Sequence, residues 1–179
     1  DSALSANLDS EKKKQRKSGL LAAFVQIAEY AAEHEVRAIL IAGDLFDSSY
    51  VTKRTQNMVK DTVLRFPDID FLYLKGNHDT ENFLEVWEER PENLKLFGTE
   101  WTYYRYGDVV IAGAEFGDGN ETRLYDALML NRSDCNIVML HGQTEKYRSA
   151  EKAETVSLAS LKNKNIDYLA LGHIHSYRY

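Results

Sequence analysis

Four short apolar runs constrain this chain most, because all four end in the same way. AILIAG (38–43) runs into Asp44, with Asp47 close behind. FLYLKG (71–76) runs into Asn77, His78 and Asp79. IVMLHG (137–142) closes on His141, and YLALG (168–172) runs into His173 and His175. A short continuous apolar run bounded by glycine reads as a strand covered on both faces. Between these runs lie segments with helical spacing. Strands alternating with helices argue for stacked α/β layers. In open α/β sheets, ligands collect just outside the carboxyl ends of the strands. Four of the chain's five histidines fall in these stretches, so the polar strand ends read as one assembled site rather than four separate turns.

The rest of the chain fits that frame. Residues 10–36 read as a long helix, with Leu20, Leu21, Phe24, Ile27, Ala28 and Ala31 on one face and Asp9 or Ser10 as its cap. Further helices are expected over 52–66, over 81–90 (ending at Pro91), over 121–130 and over 156–165. Strands are expected over 37–43, 70–76, 136–142 and 166–173, and 101–116 reads as an antiparallel pair turning at Gly107-Asp108. This alternation alone suggests a doubly wound sheet. No linker or repeat interrupts it, so residues 1–179 are expected to form a single domain, long enough to bury a sizeable core. No apolar run approaches membrane-spanning length, so no membrane association is expected. The lone Cys135 allows no intrachain disulfide and is expected to be a small buried hydrophobe opening a strand. Both features favour a reducing cytoplasm. A net charge of −6 excludes an overall basic nucleic-acid binder, but not a site whose bound cations bring their own charge.

The strand-end groups narrow the chemistry. Carboxylate, amide and imidazole donors without a thiolate suit Mn²⁺, Fe or Zn²⁺. A carboxylate can bridge two cations, and two-metal sites clamp both oxygens of a phosphoryl displacement. Any one of these residues alone would read as a turn, a cap or an interior histidine. It is their joint occurrence that points to a metal site.

Gly43-Asp44-Leu45-Phe46-Asp47, Gly76-Asn77-His78-Asp79, His141-Gly142 and Gly172-His173-Ile174-His175 stand in the order and spacing of the calcineurin-like metallophosphoesterases, which this chain resembles over roughly residues 37–175. The resemblance implies a four-layer α-β-β-α sandwich in place of the doubly wound sheet. It also implies two divalent metal ions, Mn²⁺ first with Fe or Zn²⁺ as alternatives. Asp44 would bridge them. Asn77, His141 and His173 would complete one metal, and His175 would bind the other. His78 would face the substrate phosphate as the catalytic group, with Asp47 hydrogen-bonded to it and raising its proton affinity. The family also carries an Asp-x-His pair on its first strand, whereas this sequence opens DSALSANLDS. That strand is expected ahead of Asp1, with further strands beyond Tyr179, leaving the domain truncated at both ends. AGDLFDS and IDYLALGHIH look most like bacterial DNA-repair exonucleases of the SbcD type. This implies a DNA exonuclease or endonuclease, working with a coiled-coil ATPase partner of the SbcC type. Two alternatives stay open: a small-molecule or nucleotide phosphodiesterase, and a non-catalytic scaffold that keeps the fold.

Other features carry expectations of their own. Asp79 reads as a cap for the 81–90 helix or as a catalytic group. EKKKQRK (11–17) reads as a solvated helix face or a phosphate-contacting patch. Tyr103, Tyr104 and Tyr106 read as sheet packing or base stacking, EFGDGN (115–120) as a mobile loop near the site, and His34 as a solvated residue at a helix C-terminus.

Overall fold

The structure, a computed structural model, describes residues 19, 21–45, 52–77, 79, 87, 89–117, 119–146 and 153–173. The polar caps Asp9 and Ser10, the basic run 11–17 and most of the expected helix 81–90 lie outside the described residues.

A helix over 21–33 (α1) leads into β1 (Ala38–Ala42). Next come α2 (Lys53–Arg65), β2 (Asp70–Leu74) and β3 (Leu94–Leu96). β1, β2 and β3 form a parallel sheet in that order, with Ala42 paired to Leu74 at its carboxyl end. β4 (Thr102–Tyr106) and β5 (Val109–Gly113) follow, joined by the expected turn, where Gly107 takes φ +63°. α3 (Glu121–Ala127), β6 (Cys135–His141), α4 (Leu158–Leu161) and β9 (Tyr168–Gly172) complete the main elements. The second sheet runs β4-β5-β6-β9, antiparallel only between β4 and β5. Two short strands, β7 (Gln143–Thr144) and β8 (Thr155–Val156), pair in parallel beside it.

Side-chain alternation along the strands builds three cores. On β2, Phe71 and Tyr73 face α1 and α2, meeting Ala28, Ala31, Val59 and Val63. The alternate residues Leu72 and Leu74 face the second sheet and meet Ile111, Met139 and Phe97. On β6, Met139 enters that middle core, while Val138 and Leu140 face α3 and α4 with Tyr125, Leu128 and Leu161. The layers are therefore helix, sheet, sheet, helix. Each fully buried Leu or Met contributes about 1.5–3 kcal/mol. Two tyrosines of β4 tie the sheets together: the Tyr104 hydroxyl donates to the Leu96 carbonyl and Tyr106 to the Asp70 carboxylate, each at 2.6 Å. Both serve packing, and half-exposed Tyr103 accepts from the Met129 amide.

Several expectations need correction. The doubly wound sheet gives way to two facing sheets. β3 was not foreseen; it is held by buried Asn93, whose amide reaches the carbonyls of Val63, Phe66 and Ile69. Cys135 is exposed, because it opens β6 at the rim of the sheet, and its neighbour Asn136 takes the buried place. The helix expected over 121–130 stops at Ala127, where Leu128 turns extended to enter the outer core. The helix expected over 156–165 shrinks to Leu158–Leu161. Thr155–Val156 pairs as β8, Ser157 caps the helix start, and the left-handed Asn163 and Asn165 lie beyond its end. In the 115–120 loop, Asp118 lies outside the described residues. Asn120 is buried, accepts from the Gly117 amide and donates to the carbonyls of Thr99 and Glu115. His34, by contrast, is exposed at the end of α1 as expected, where it stacks on Tyr30 and donates to its carbonyl. Among the described residues, no helix is long and apolar enough to cross a membrane.

Candidate metal centre

The carboxyl ends of β1, β2, β6 and β9 meet at one rim, and four of the predicted side chains meet there with them. Asp44 and Asn77 come from the first sheet, His141 and His173 from the second. One ligating atom each from Asp44, His141 and His173 lie within 4.8 Å of one another. His141 Nε2 stands 3.2 Å from Asp44 Oδ2 and 2.8 Å from Asn77 Oδ1. His173 Nδ1 stands 4.0 Å from the same Asp44 oxygen, and the two imidazoles sit edge to face at 5.5 Å. Both histidines are buried. Asp47, His78 and His175 lie outside the described residues.

The tautomer of His141 follows from its surroundings. Its Nδ1 is 2.8 Å from the Ala42 carbonyl, which can only accept, so Nδ1 carries the proton. In the neutral ring Nε2 then carries the lone pair, the form that can coordinate a metal. It faces the Asn77 oxygen and the Asp44 carboxylate, which are acceptors too. In that form three acceptor atoms face one another, and a cation among them would satisfy all three. A histidine whose other ring nitrogen donates to a backbone carbonyl is also the usual arrangement around a metal. The donor set of carboxylate, amide oxygen and imidazole therefore fits a divalent cation of the Mn²⁺, Fe or Zn²⁺ type.

Close backbone approach makes the convergence possible. A side chain at Gly76 would run into the backbone nitrogen and carboxylate of Asp44, and one at Gly172 into the Ala42 carbonyl. Asp44 at φ +53° and His173 at φ +93° are left-handed without being glycine, a local strain often kept at functional sites.

The loop below Asn77 is held by carboxylates. Asp79 is buried, and its Oδ2 accepts from the Gly76 amide at 2.9 Å. It accepts from the Tyr73 hydroxyl as well, and burial together with that carboxylate pushes the phenol's proton affinity far up. Its visible role is to hold the turn. Glu115 accepts from the Lys75 amide at 3.2 Å, and burial raises its carboxyl above the usual range. Sequence reading placed Glu115 only in a loop near the site, without a role, and gave Tyr73 none. The signal for Glu115 was present all the same, since it follows the apolar strand VVIAG as the other strand-end residues follow theirs. A cleft of about 510 Å³ opens beside Asn77 and His141, lined by Lys75, Glu115, Phe116, Gln143 and Glu154, and it falls in the range of ligand pockets.

Comparison with known proteins agrees with this geometry. The chain is 28% identical over 171 residues to the DNA double-strand break repair protein Mre11 of Saccharolobus solfataricus, covering 90% of this chain and 45% of that protein. It is 27% identical to the uncharacterized metallophosphoesterase YhaO of Bacillus subtilis, covering 89% of this chain and 41% of YhaO. It is 20% identical to the SbcD subunit of the SbcCD nuclease of Staphylococcus epidermidis, covering 84% of this chain and 49% of that protein. The chain thus spans less than half the length of these relatives. A family model described as calcineurin-like phosphoesterase matches residues 17–177, nearly the whole chain, which therefore belongs to the calcineurin-like phosphoesterases, a family of metal-dependent phosphoester hydrolases.

Proposed function

We propose that this protein hydrolyses phosphodiester bonds and that its substrate is DNA. The observation that carries the reading is the convergence of His141 Nε2, Asp44 Oδ2 and Asn77 Oδ1, with His173 beside them, a donor set that fits a divalent cation. In this reading Asp44, Asn77, His141 and His173 hold one cation, and Asp44 shares a second with His175. Such cations supply positive charge to the phosphoryl oxygens and make water nucleophilic near neutral pH. Asp44 and Asn77 fix the first sheet's side of the site, and the two histidines fix the other. His78 donates a proton to the leaving oxygen or stabilises its charge, and Asp47 orients it. DNA rather than a small diester is favoured by the relatives named Mre11 and SbcD, at 28% and 20% identity. An ATPase with a long coiled coil is the partner this reading implies. The single-domain reading of residues 1–179 belongs to the same proposal.

The test pairs metal binding with a substrate panel. Calorimetry should show Mn²⁺ binding to the parent and none, or far weaker binding, to Asp44→Ala. Mn²⁺ retained at parental affinity in that variant refutes the bridging role. The parent is then assayed with Mn²⁺ on linear DNA, a cyclic nucleotide and bis(p-nitrophenyl) phosphate. His78→Ala should keep its metal and lose roughly 10²–10⁴-fold in rate. Turnover of the small diesters without DNA cleavage refutes the DNA reading, and metal binding without turnover of any substrate favours the scaffold. Replacing Lys13, Arg16 and Lys17 with Gln should weaken DNA binding and flatten its salt dependence by about one unit of log–log slope per lost phosphate contact. Small-diester turnover should stay unchanged.

A further inference from the structure

The exit of β2 is held in an unusual way. Beyond Leu74 the next two backbone amides do not continue the ladder: Lys75 N–H donates to Glu115 Oε1 and Gly76 N–H to Asp79 Oδ2. Asn77 follows at once, and its Oδ1 faces His141 Nε2. Of the two carboxylates, Asp79 belongs to the same turn. Glu115 comes from the other sheet.

Glu115 is itself rigidly held. Its N–H donates to the Gly98 carbonyl at 2.8 Å, and its carbonyl accepts from the buried Asn120 side chain at 3.0 Å. The register sets its height. Gly113 of β5 pairs with Met139 of β6, so Glu115 leaves its strand at the level of His141. A fixed point on the second sheet, level with one candidate ligand, thus grips the first sheet's backbone just ahead of another. Burying a carboxylate is costly, and the raised proton affinity of Glu115 reports that cost.

We infer that Glu115 is a positioning residue for the metal centre, clamping the Lys75 amide across the two sheets so that the Asn77 carbonyl is held against His141. This rests on the metal-site reading above and adds to it a residue outside the motifs that identify the family. The clamp needs an acceptor oxygen and not a charge.

The test is Mn²⁺ calorimetry on the whole chain, with urea midpoints measured alongside. Glu115→Ala should raise the Mn²⁺ Kd about 10–100-fold, the usual cost of losing a group that orients a ligand. Glu115→Gln keeps an amide oxygen at the same reach and should restore the Kd to within about threefold of the parent, well short of that loss. Glu115→Met, of similar length without an acceptor, should behave as Glu115→Ala does and replaces it if the alanine variant fails to fold. Hydrogen exchange at the Lys75 amide should speed up in the Ala and Met variants alone. Parental Kd in the folded Ala or Met variant overturns the proposal. A Gln variant as weak as Met also overturns it, because charge would then be the cause. A parent that binds no Mn²⁺ sinks the metal-site reading itself, and the clamp's role falls with it; that result is plainly different from a parent and variant that bind equally.

Discussion

Gly172→Ala tests the link between sheet packing and the site. Gly172 pairs with His141 at the end of the β6–β9 ladder. A Cβ built there falls deep inside the Ala42 carbonyl oxygen and lies 2.8 Å from both the Ala42 carbonyl carbon and His141 Nδ1. The same Ala42 oxygen accepts the hydrogen bond from His141 Nδ1. The neighbours are backbone and a buried ring, so relief requires the end of β1 or the imidazole to move. Over-packing of this kind costs roughly 1–3 kcal/mol. A buried ring N–H deprived of its acceptor adds roughly 1–3 kcal/mol. The expected loss is therefore about 2–6 kcal/mol, a large part of the 5–15 kcal/mol that holds a typical domain. Urea unfolding should show a lower midpoint at unchanged slope, and Mn²⁺ affinity should fall with it. Gly98→Ala is the control: nothing lies within 4 Å of its Cβ position, so its midpoint should stay close to the parent's. If Gly172→Ala matches Gly98→Ala in both midpoint and Mn²⁺ affinity, the close approach of β1 to β9 and its hold on His141 are wrong.

Two further outcomes follow from the packing and the charges. Met139 is fully buried between the sheets, so Met139→Ala should cost about 2–5 kcal/mol, whereas Met129, 78% exposed, should tolerate alanine with a change of at most about 0.5 kcal/mol; chemical denaturation of the two variants decides it. Arg105 grips Asp134 through two hydrogen bonds, at 3.0 and 2.6 Å, and holds its carboxyl below the usual range. A lowered carboxyl stabilises the fold above its ordinary pKa, and that contribution is lost as pH falls through the lowered value. Arg105→Gln should move the Asp134 titration upward by NMR, and an unmoved titration would show that the pair has no hold in solution.

The site was legible because its signal is local. Asp44, Asn77, His141 and His173 each sit directly after an apolar run, and strand order then carries them to one rim. The sandwich was less legible from periodicity. Phe71, Leu72, Tyr73 and Leu74 are all apolar, and a strand covered on both faces reads the same whether its second cover is a helix or another sheet. Only the family resemblance separated the two, and the three cores bear it out. β3 was hidden because three residues with Lys95 at the centre give no usable period. Asn120 reads from its type as a turn residue, yet it is buried and its side chain bonds to Gly117, Thr99 and Glu115. Cys135 looked buried because its type usually is, but a strand's first residue stands at the rim.

Fold and site depend on each other through the placement of the four side chains. Asp44 and Asn77 ride on one sheet, His141 and His173 on the other, and the contacts between them cross the interface. The middle core sets the spacing of the sheets, and at the rim Ala42, Gly76 and Gly172 leave room for the backbones to close in. A cation held there would therefore act as a cross-link between the sheets. Since it would bind the folded chain and not the unfolded one, it would add about 2.7 kcal/mol at a hundredfold excess over its Kd. The same argument runs in reverse. A change that shifts one sheet relative to the other would move the His141, Asp44 and Asn77 donors relative to one another, even when no donor is touched. Glu115 ties the sheets together just ahead of Asn77, whereas Tyr104 and Tyr106 tie them at Leu96 and at Asp70, the amino end of β2, and so act on the spacing of the sheets rather than on the donors.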